Sequence, residues 1–317
     1  MSCLWMRRAL LALVSSSALL LAACGSGTIE SQLHPTRIVT FGDGFSDLGQ
    51  GGARYTVNDN SINVWTQQVA LSYGLELKAR AAGGTSYATG NARVTQKPDA
   101  AGDSATPTVT EQIDAFLAAD TIGANDLLIV NGGIADIIAE DAKVRSGSGT
   151  ADQLLANARQ AGRDLAAQVR RLVNAGARHV VVTGTYDLSK SPWAIRTAQT
   201  ELLFQASSAF NNQLLVSMVD LGQDVLYVDA PLFYNLMVAL PGTYSLANST
   251  DPVCTSVDPG PGIGIGPNQV NSKLCTTSTL VANVDYNQYL FADLVYPAPA
   301  AHRQFGTYAY DRIRTRW

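Results

Sequence analysis

Four short apolar runs, Arg37–Phe41, Leu127–Asn131, His179–Thr183 and Val225–Asp229, are separated by segments in which apolar residues recur at helical spacing. This alternation leaves few folds open. A strand, a helix and a strand in series pair in parallel, because the helix carries the chain back to the same end of the sheet. The helical segments are Ile62–Tyr73, Thr108–Ala118, Ala151–Ala175, Pro192–Leu221 and Ala300–Arg314. Within the third, Gln153–Val173 sets apolar residues on one face and Arg and Gln on the other, and Gly176 stops it. Leu75–Lys78 is a further short strand candidate. With 317 residues, 46% hydrophobic and 15% charged, the chain can build one large α/β domain.

The N-terminus reads differently. Arg7 and Arg8 precede the apolar run Ala9–Leu21, then Leu21-Ala22-Ala23-Cys24 and Gly25-Ser26-Gly27. A basic start, a short apolar stretch and small residues at a cleavage site make an export signal, too short for an ordinary membrane span. Leu-Ala-Ala-Cys resembles a bacterial lipobox, which implies lipidation of Cys24 as the mature N-terminus; the alternative is an ordinary signal peptide with an incidental cysteine. The start is Met1 or Met6, since Met1–Trp5 adds nothing that a signal needs. Gly25 is not the aspartate that favours inner-membrane retention, so the expectation is a lipid anchor in the outer membrane, facing the periplasm or the exterior. The reading divides the chain into a signal peptide (1–23), a tether (24–35) and a single domain (36–317).

Loss of Arg7 and Arg8 with the signal lowers the 22 basic side chains to 20, against 26 acidic ones, a net charge of −6. No basic stripe is left, which argues against a nucleic-acid partner. Cys3 leaves with the signal, and Cys254 and Cys275 remain in an oxidising compartment. A disulfide between them closes a loop worth about 3 kcal/mol. A metal site is the alternative, but no other Cys or His lies nearby, and no metal or cofactor is expected. The two cysteines fall in residues 240–285, rich in Pro, Gly, Ser, Thr and Asn, which reads as a long structureless insertion or lid pinned by the disulfide.

Four blocks, in order, resemble the SGNH (GDSL-type) esterases and lipases. The first, Phe41-Gly42-Asp43-Gly44-Phe45-Ser46-Asp47-Leu48-Gly49, is similar to Phe-Gly-Asp-Ser-x-Ser-Asp-x-Gly, in which the first serine is the nucleophile. Gly44 stands in its place and offers no nucleophilic atom. Asp43 and Asp47 match positions that hold the turn, and Ser46 matches a structural serine just inside the following helix. The second block, Ala82-Gly83-Gly84-Thr85-Ser86-Tyr87-Ala88-Thr89-Gly90-Asn91-Ala92, is similar to a segment whose glycine N–H lines the oxyanion hole; Gly84 matches better, with Gly83 the alternative. The third should be Gly-x-Asn-Asp after a strand. Gly123-Ala124-Asn125-Asp126 has those letters but precedes its strand, whereas ligands in open α/β sheets bind beyond the carboxyl ends. Asn131-Gly132-Gly133-Ile134-Ala135-Asp136 follows the strand and puts Ala135 where the asparagine belongs, a loss worth roughly 3 kcal/mol of transition-state stabilisation in an active hydrolase. Asn131 reaches that cavity only if its side chain is redirected. The last block, Asp293-Leu294-Val295-Tyr296-Pro297, keeps the acid and replaces the histidine base by Tyr296. A phenol with a pKa near 10 is a poor base. His302 lies six residues on, about 9 Å further along a helix, and reads as a surface or helix-start histidine; His34 lies in the tether and His179 at the start of a strand. Phe210-Asn211-Asn212-Gln213-Leu214 and the loop Gly184-Thr185-Tyr186-Asp187-Leu188 also fit the family.

The resemblance implies a three-layer α/β/α sandwich around a five-stranded parallel sheet, flavodoxin-like in class. Three functions are then open. The first is a lipoprotein without Ser–His hydrolysis that binds an acyl or glycan ligand in a cleft near Gly44, Gly84, Gly133, Tyr296 and Asp293. The second is an active ester hydrolase with a relocated nucleophile, Ser46 or Ser86, helped by His302. The third is a structural envelope lipoprotein that uses the 240–285 insertion as a partner surface.

Overall fold

The structure, a computed structural model, describes residues 32–59, 61 and 64–317. The signal peptide, Cys24 and most of the tether lie outside the described residues.

Strands β1 (Arg37–Phe41), β2 (Asp126–Asn131), β3 (Val180–Thr183) and β4 (Val225–Tyr227) form one parallel sheet in that order. The register sets Val39 beside Leu128 and Val130 beside Val182. Their side chains are almost wholly buried, as expected where helices cover a parallel sheet. Helices α1 (Trp65–Ser72), α2 (Val109–Ala119), α3 (Ile134–Arg145), α4 (Ala151–Asn174), α5 (Pro192–Arg196), α6 (Thr200–Ser217), α7 (Ala230–Ala239) and α8 (Pro299–Arg316) flank it. Helix α4 packs along α6, and α1 along α8. Thr108–Glu111 and Thr150–Gln153 close capping boxes at the starts of α2 and α4.

The sheet has four strands where five were expected. Leu75–Lys78 is not a strand. Instead Thr85-Ser86-Tyr87 touches the free edge of β1: the Thr40 N–H donates to Thr85 O (3.2 Å) and the Tyr87 N–H to Thr40 O (2.7 Å). A turn at Arg80–Ala82 and the left-handed Gly83 bring the chain to that edge for a single bridge, too brief for a strand.

The segment expected as one helix over Pro192–Leu221 is two, broken around Ala198, which has positive φ. Helices α3 and α7 were not expected. Ser46 lies in a turn, its N–H donating to Asp43 O (3.0 Å), not inside a helix. Residues 240–285 are not structureless. They carry β5 (Asn248–Pro252), β6 (Val257–Asp258) and β7 (Gln269–Val270); β6 pairs with β7, and β5 with β8 (Tyr289–Phe291). The Cys254–Cys275 disulfide is present, with Cα atoms 5.8 Å apart. It packs with Val57, Val253, Ala292 and Ala298 in a small core of its own, which orders a segment whose composition alone favours coil.

At the amino ends of the strands, the N–H groups of Gln32 and Leu33 both donate to the carbonyl of Trp317 (2.8 and 3.2 Å). The His179 ring and the Trp317 indole meet edge to face there, 5.1 Å between centroids.

Candidate functional site

The carboxyl ends of β1 and β2 converge on a buried turn. Gly42 leaves β1 with φ +155°, and a Cβ there would run into the Asn131 amide. Its N–H donates to Gln112 Oε1 and its carbonyl accepts from Gln112 Nε2, both at 2.9 Å. Asp43 Oδ1 then accepts from the Phe45 N–H (3.0 Å) and from Asn131 Nδ2 (2.7 Å). Burial pushes the Asp43 carboxyl up to about 6, against the pull of these donors and of the first N–H groups of α3. Asp47 ties the turn to the second block, accepting from the N–H groups of Gly49, Gln50 and Gly90 (2.8–2.9 Å).

Gly44, which the resemblance sets in the nucleophile's place, is buried beneath Tyr296. A Cβ on Gly44 would lie 2.7 Å from Tyr296 Cζ and 2.8 Å from its Oη, closer than side chains approach. The Tyr296 ring is fully buried and its hydroxyl has no hydrogen-bond partner; burial holds the phenol well above its usual range. Tyr55 packs on Tyr296, 5.1 Å between centroids, and in turn fills the space over Gly90. Two phenol rings thus occupy the ground above Gly44.

Asp293 is fully buried and its carboxylate is spent on the backbone. Oδ1 accepts from the N–H groups of Val295 (2.8 Å) and Tyr296 (2.6 Å). Oδ2 accepts from the N–H (3.0 Å) and hydroxyl (2.5 Å) of Ser272, in the disulfide-held segment. It therefore fixes the turn that aims Tyr296 at Gly44. The Tyr186 hydroxyl supports the same turn by donating to Val295 O (2.6 Å).

On the oxyanion side, Ala135 is buried in the first turn of α3. Gly133 precedes that helix at φ +108°, and a Cβ there would run into the Phe210 ring. Asn211 bonds both backbone groups of Thr185, so the Phe210-Asn211 pair braces two loops at this end of the sheet. The Asn131 side chain is committed to Asp43. The N–H groups of Gly83 and Gly84 donate to Arg80 O and Ala79 O (both 2.9 Å), and Gly83 is exposed. The second-block glycine that packs against the Tyr55–Tyr296 pair is Gly90. Its signal was in the sequence, three residues past Tyr87 in the quoted block, but the Gly83-Gly84 pair drew the match.

The alternative nucleophiles are engaged elsewhere. Ser46 Oγ accepts from the indole N–H of Trp65 (2.9 Å), and Ser86 Oγ from the Thr40 hydroxyl (2.6 Å). His302, expected near the surface, is fully buried: its ring packs 5.5 Å from that of Phe45, and neither nitrogen has a hydrogen-bond partner. Desolvation lowers its pKa to about 3. The Asp126 of Gly123-Ala124-Asn125-Asp126 pairs with Arg37 at the opposite end of the sheet (2.5 Å). No cluster of metal-ligating side chains is found among the described residues.

Comparison with known proteins places these residues in a family. The model of the GDSL-like lipase/acylhydrolase family matches residues 38–308, and the chain belongs to that family. A Pseudomonas putida protein described as an uncharacterized protein in the trpE–trpG intergenic region is 30% identical over 162 residues, which is 51% of this chain and 26% of that one. The chain thus spans about a quarter of that relative's length. A crystal structure superposes with a TM-score of 0.48 at 15% identity, over 89% of this chain and 98% of the other.

Two outcomes follow from this geometry. Gly44→Ser drives a side chain into Tyr296 and should destabilise the fold by about 1–3 kcal/mol. Tyr296→His, which shortens the ring, should recover most of that loss, so the double variant in urea unfolding is more stable than the sum of the single effects; additive losses would show that the two side chains do not collide. His302 has its folded-state pKa depressed below the ordinary 6.5, so the stability it contributes is present above pH 6.5 and is lost as pH falls towards 3. The raised pKa values of Asp43 and of Asp136 (about 7) act in the opposite direction over an overlapping range, which makes a difference measurement necessary. The unfolding free energy of His302→Phe relative to wild type should rise by about 1.4 kcal/mol per pH unit below 6.5. A pH-independent difference would mean that His302 takes up a proton in the folded protein.

Proposed function

We propose that this chain is a lipid-anchored envelope member of the GDSL-like family that has given up Ser–His ester hydrolysis and acts by binding. The observation that carries the reading is the Tyr296 ring seated on Gly44. A hydrolase needs a nucleophile, a base within hydrogen-bond reach and donors aimed at the developing oxyanion. Gly44 lacks the first, the Tyr296 phenol is far too weakly acidic to serve as the second, and Ala135 lacks the third. Family membership itself carries no activity. An acyl or glycan ligand at Gly44 would have to displace Tyr296, so the reading puts ligand binding elsewhere on the domain. The relocated-nucleophile alternative has less support, because Ser46 is bonded to Trp65 and His302 lies in the core.

The test is hydrolysis of p-nitrophenyl acetate, butyrate and octanoate. Wild type and Ser46→Ala should both stay at the blank rate. The triple change Gly44→Ser, Ala135→Asn, Tyr296→His should exceed it by at least roughly tenfold, since each restored group stabilises the transition state by several kcal/mol in active serine hydrolases. Brisk wild-type turnover abolished by Ser46→Ala would overturn the reading in favour of a relocated serine.

The anchor is supported by Leu21-Ala22-Ala23-Cys24 after the apolar run Ala9–Leu21, and Gly25 favours the outer membrane. In bacterial fractionation, wild type should sediment with outer-membrane vesicles and Cys24→Ser should be released to the periplasmic fraction or retain an uncleaved leader. Equal membrane association of both mature forms would remove lipidation from the account.

A further inference from the structure

Among the described residues, the two most exposed large aliphatic ones sit three positions apart: Val219 is 81% exposed and Val216 69%. They lie in the last turn of α6 and the short turn after it, which leads into the amino end of β4. Met218 and Leu221 alternate with them, are buried in the core and so fix the valines outward. Neighbouring helices hold this turn from two sides. Arg170 of α4 donates to Ser217 O (3.1 Å) and pairs with Asp220 (2.7 Å). Arg316 of α8 donates to the carbonyls of Gly222 and Gln223.

The Arg316 contact puts the valines beside the point where the tether enters the domain, because the carbonyl of the next residue, Trp317, takes the N–H groups of Gln32 and Leu33. Gln32 follows Cys24 by eight residues. Fully extended, that length of chain spans at most about 29 Å. With Cys24 lipidated, this pole of the sheet is therefore confined to the immediate neighbourhood of a bilayer. A linker so short gives an effective concentration of about a millimolar, at which a contact too weak to hold a free protein is populated.

The charges bordering the valines nearly cancel. Arg170 is matched by Asp220, Arg178 by Asp224 (3.5 Å) and Arg314 by Asp311 (3.3 Å). Arg312 and Arg316 form no ion pair among the described residues and leave a slight positive excess, so apolar contact and not charge decides what this surface meets. We propose that this pole rests on the membrane surface, with Val216 and Val219 seated in the lipid headgroup layer. The inference names the face turned to the lipid and rests on the anchor proposed above.

The test uses the full mature lipoprotein in phosphatidylcholine vesicles. Val219→Cys, or Val257→Cys in the disulfide-held segment as a control, carries an environment-sensitive fluorophore; Cys254 and Cys275 are bonded to each other and do not react. Apolar groups at a membrane interface sit about 5–10 Å into the headgroup and acyl boundary, so a shallow nitroxide-bearing lipid should quench the label at 219 at least about twofold more than the label at 257. Val216→Asp should remove that difference while leaving urea unfolding and flotation with the vesicles unchanged. Added phosphatidylglycerol or salt should leave the difference in place. Equal quenching at both positions, quenching at neither, quenching that requires phosphatidylglycerol, or a blue shift at 219 that the nitroxide lipid does not quench, the mark of a protein partner, would each overturn the proposal. The anchor has its own readout in flotation and in the mass of the N-terminal peptide. A lipidated chain that floats without a quenching difference sinks this inference alone, and a chain whose Cys24 carries no lipid overturns both.

Discussion

The contact between Gly44 and the Tyr296 ring is the constraint on which the rest of this site depends. It works in both directions. A glycine is needed because the ring lies within van der Waals distance of where any Cβ would be, and the ring can lie there because the glycine leaves room. Asp293 holds the ring's turn by its backbone, Tyr55 covers its flank, and Gly90 makes room for Tyr55. Reversing one substitution alone therefore meets the packing of the others. Protein interiors fill such space at crystal-like density, and the ground between Gly44 and Tyr296 has the packing of a core.

The buried acids serve the same packing. Asp43 and Asp293 are fully buried, and both are stationed on backbone N–H groups. Asp43 also receives the Asn131 amide. In each case the carboxylate fixes a tight turn, a role that survives without any substrate. Asp136 sits between Asp43 and Arg93, so the strand-end network continues outward through Glu140 to Lys143 and Asn157.

Much of this was legible in the sequence because the signals were local. The strands β1 to β3 and the long amphipathic α4 were within a residue or two of their expected limits, and the alternation of strand and helix gave the class. The misreadings came from features that tertiary contacts decide. Helix α3 was missed because Ile134-Ala135-Asp136 was matched only to the family block after the strand, whereas Gly133 with positive φ opens a helix directly. Helix α7 carried a signal in Asp229-Ala230-Pro231, a side-chain cap followed by proline in the first turn. The fifth strand was carried over from relatives, while the chain here turns away after one bridge. His302 was read as a surface or helix-start histidine; the Phe45 ring on which it packs, itself against Trp65 and Phe305, is brought in from a distant segment. The 240–285 region has the composition of coil, and the disulfide, the β6–β7 pair, the pairing with β8 and the Ser272–Asp293 bonds make it a folded unit.

The shared carbonyl of Trp317, which takes both the Gln32 and Leu33 N–H groups, brings the two extremities of the described chain together at one pole of the sheet. The Gly44 turn and the loops after β2 and β3 gather at the other pole. Anything joined to either extremity departs from the same side. The strand-end loops therefore face away from the pole at which both extremities of the described chain lie.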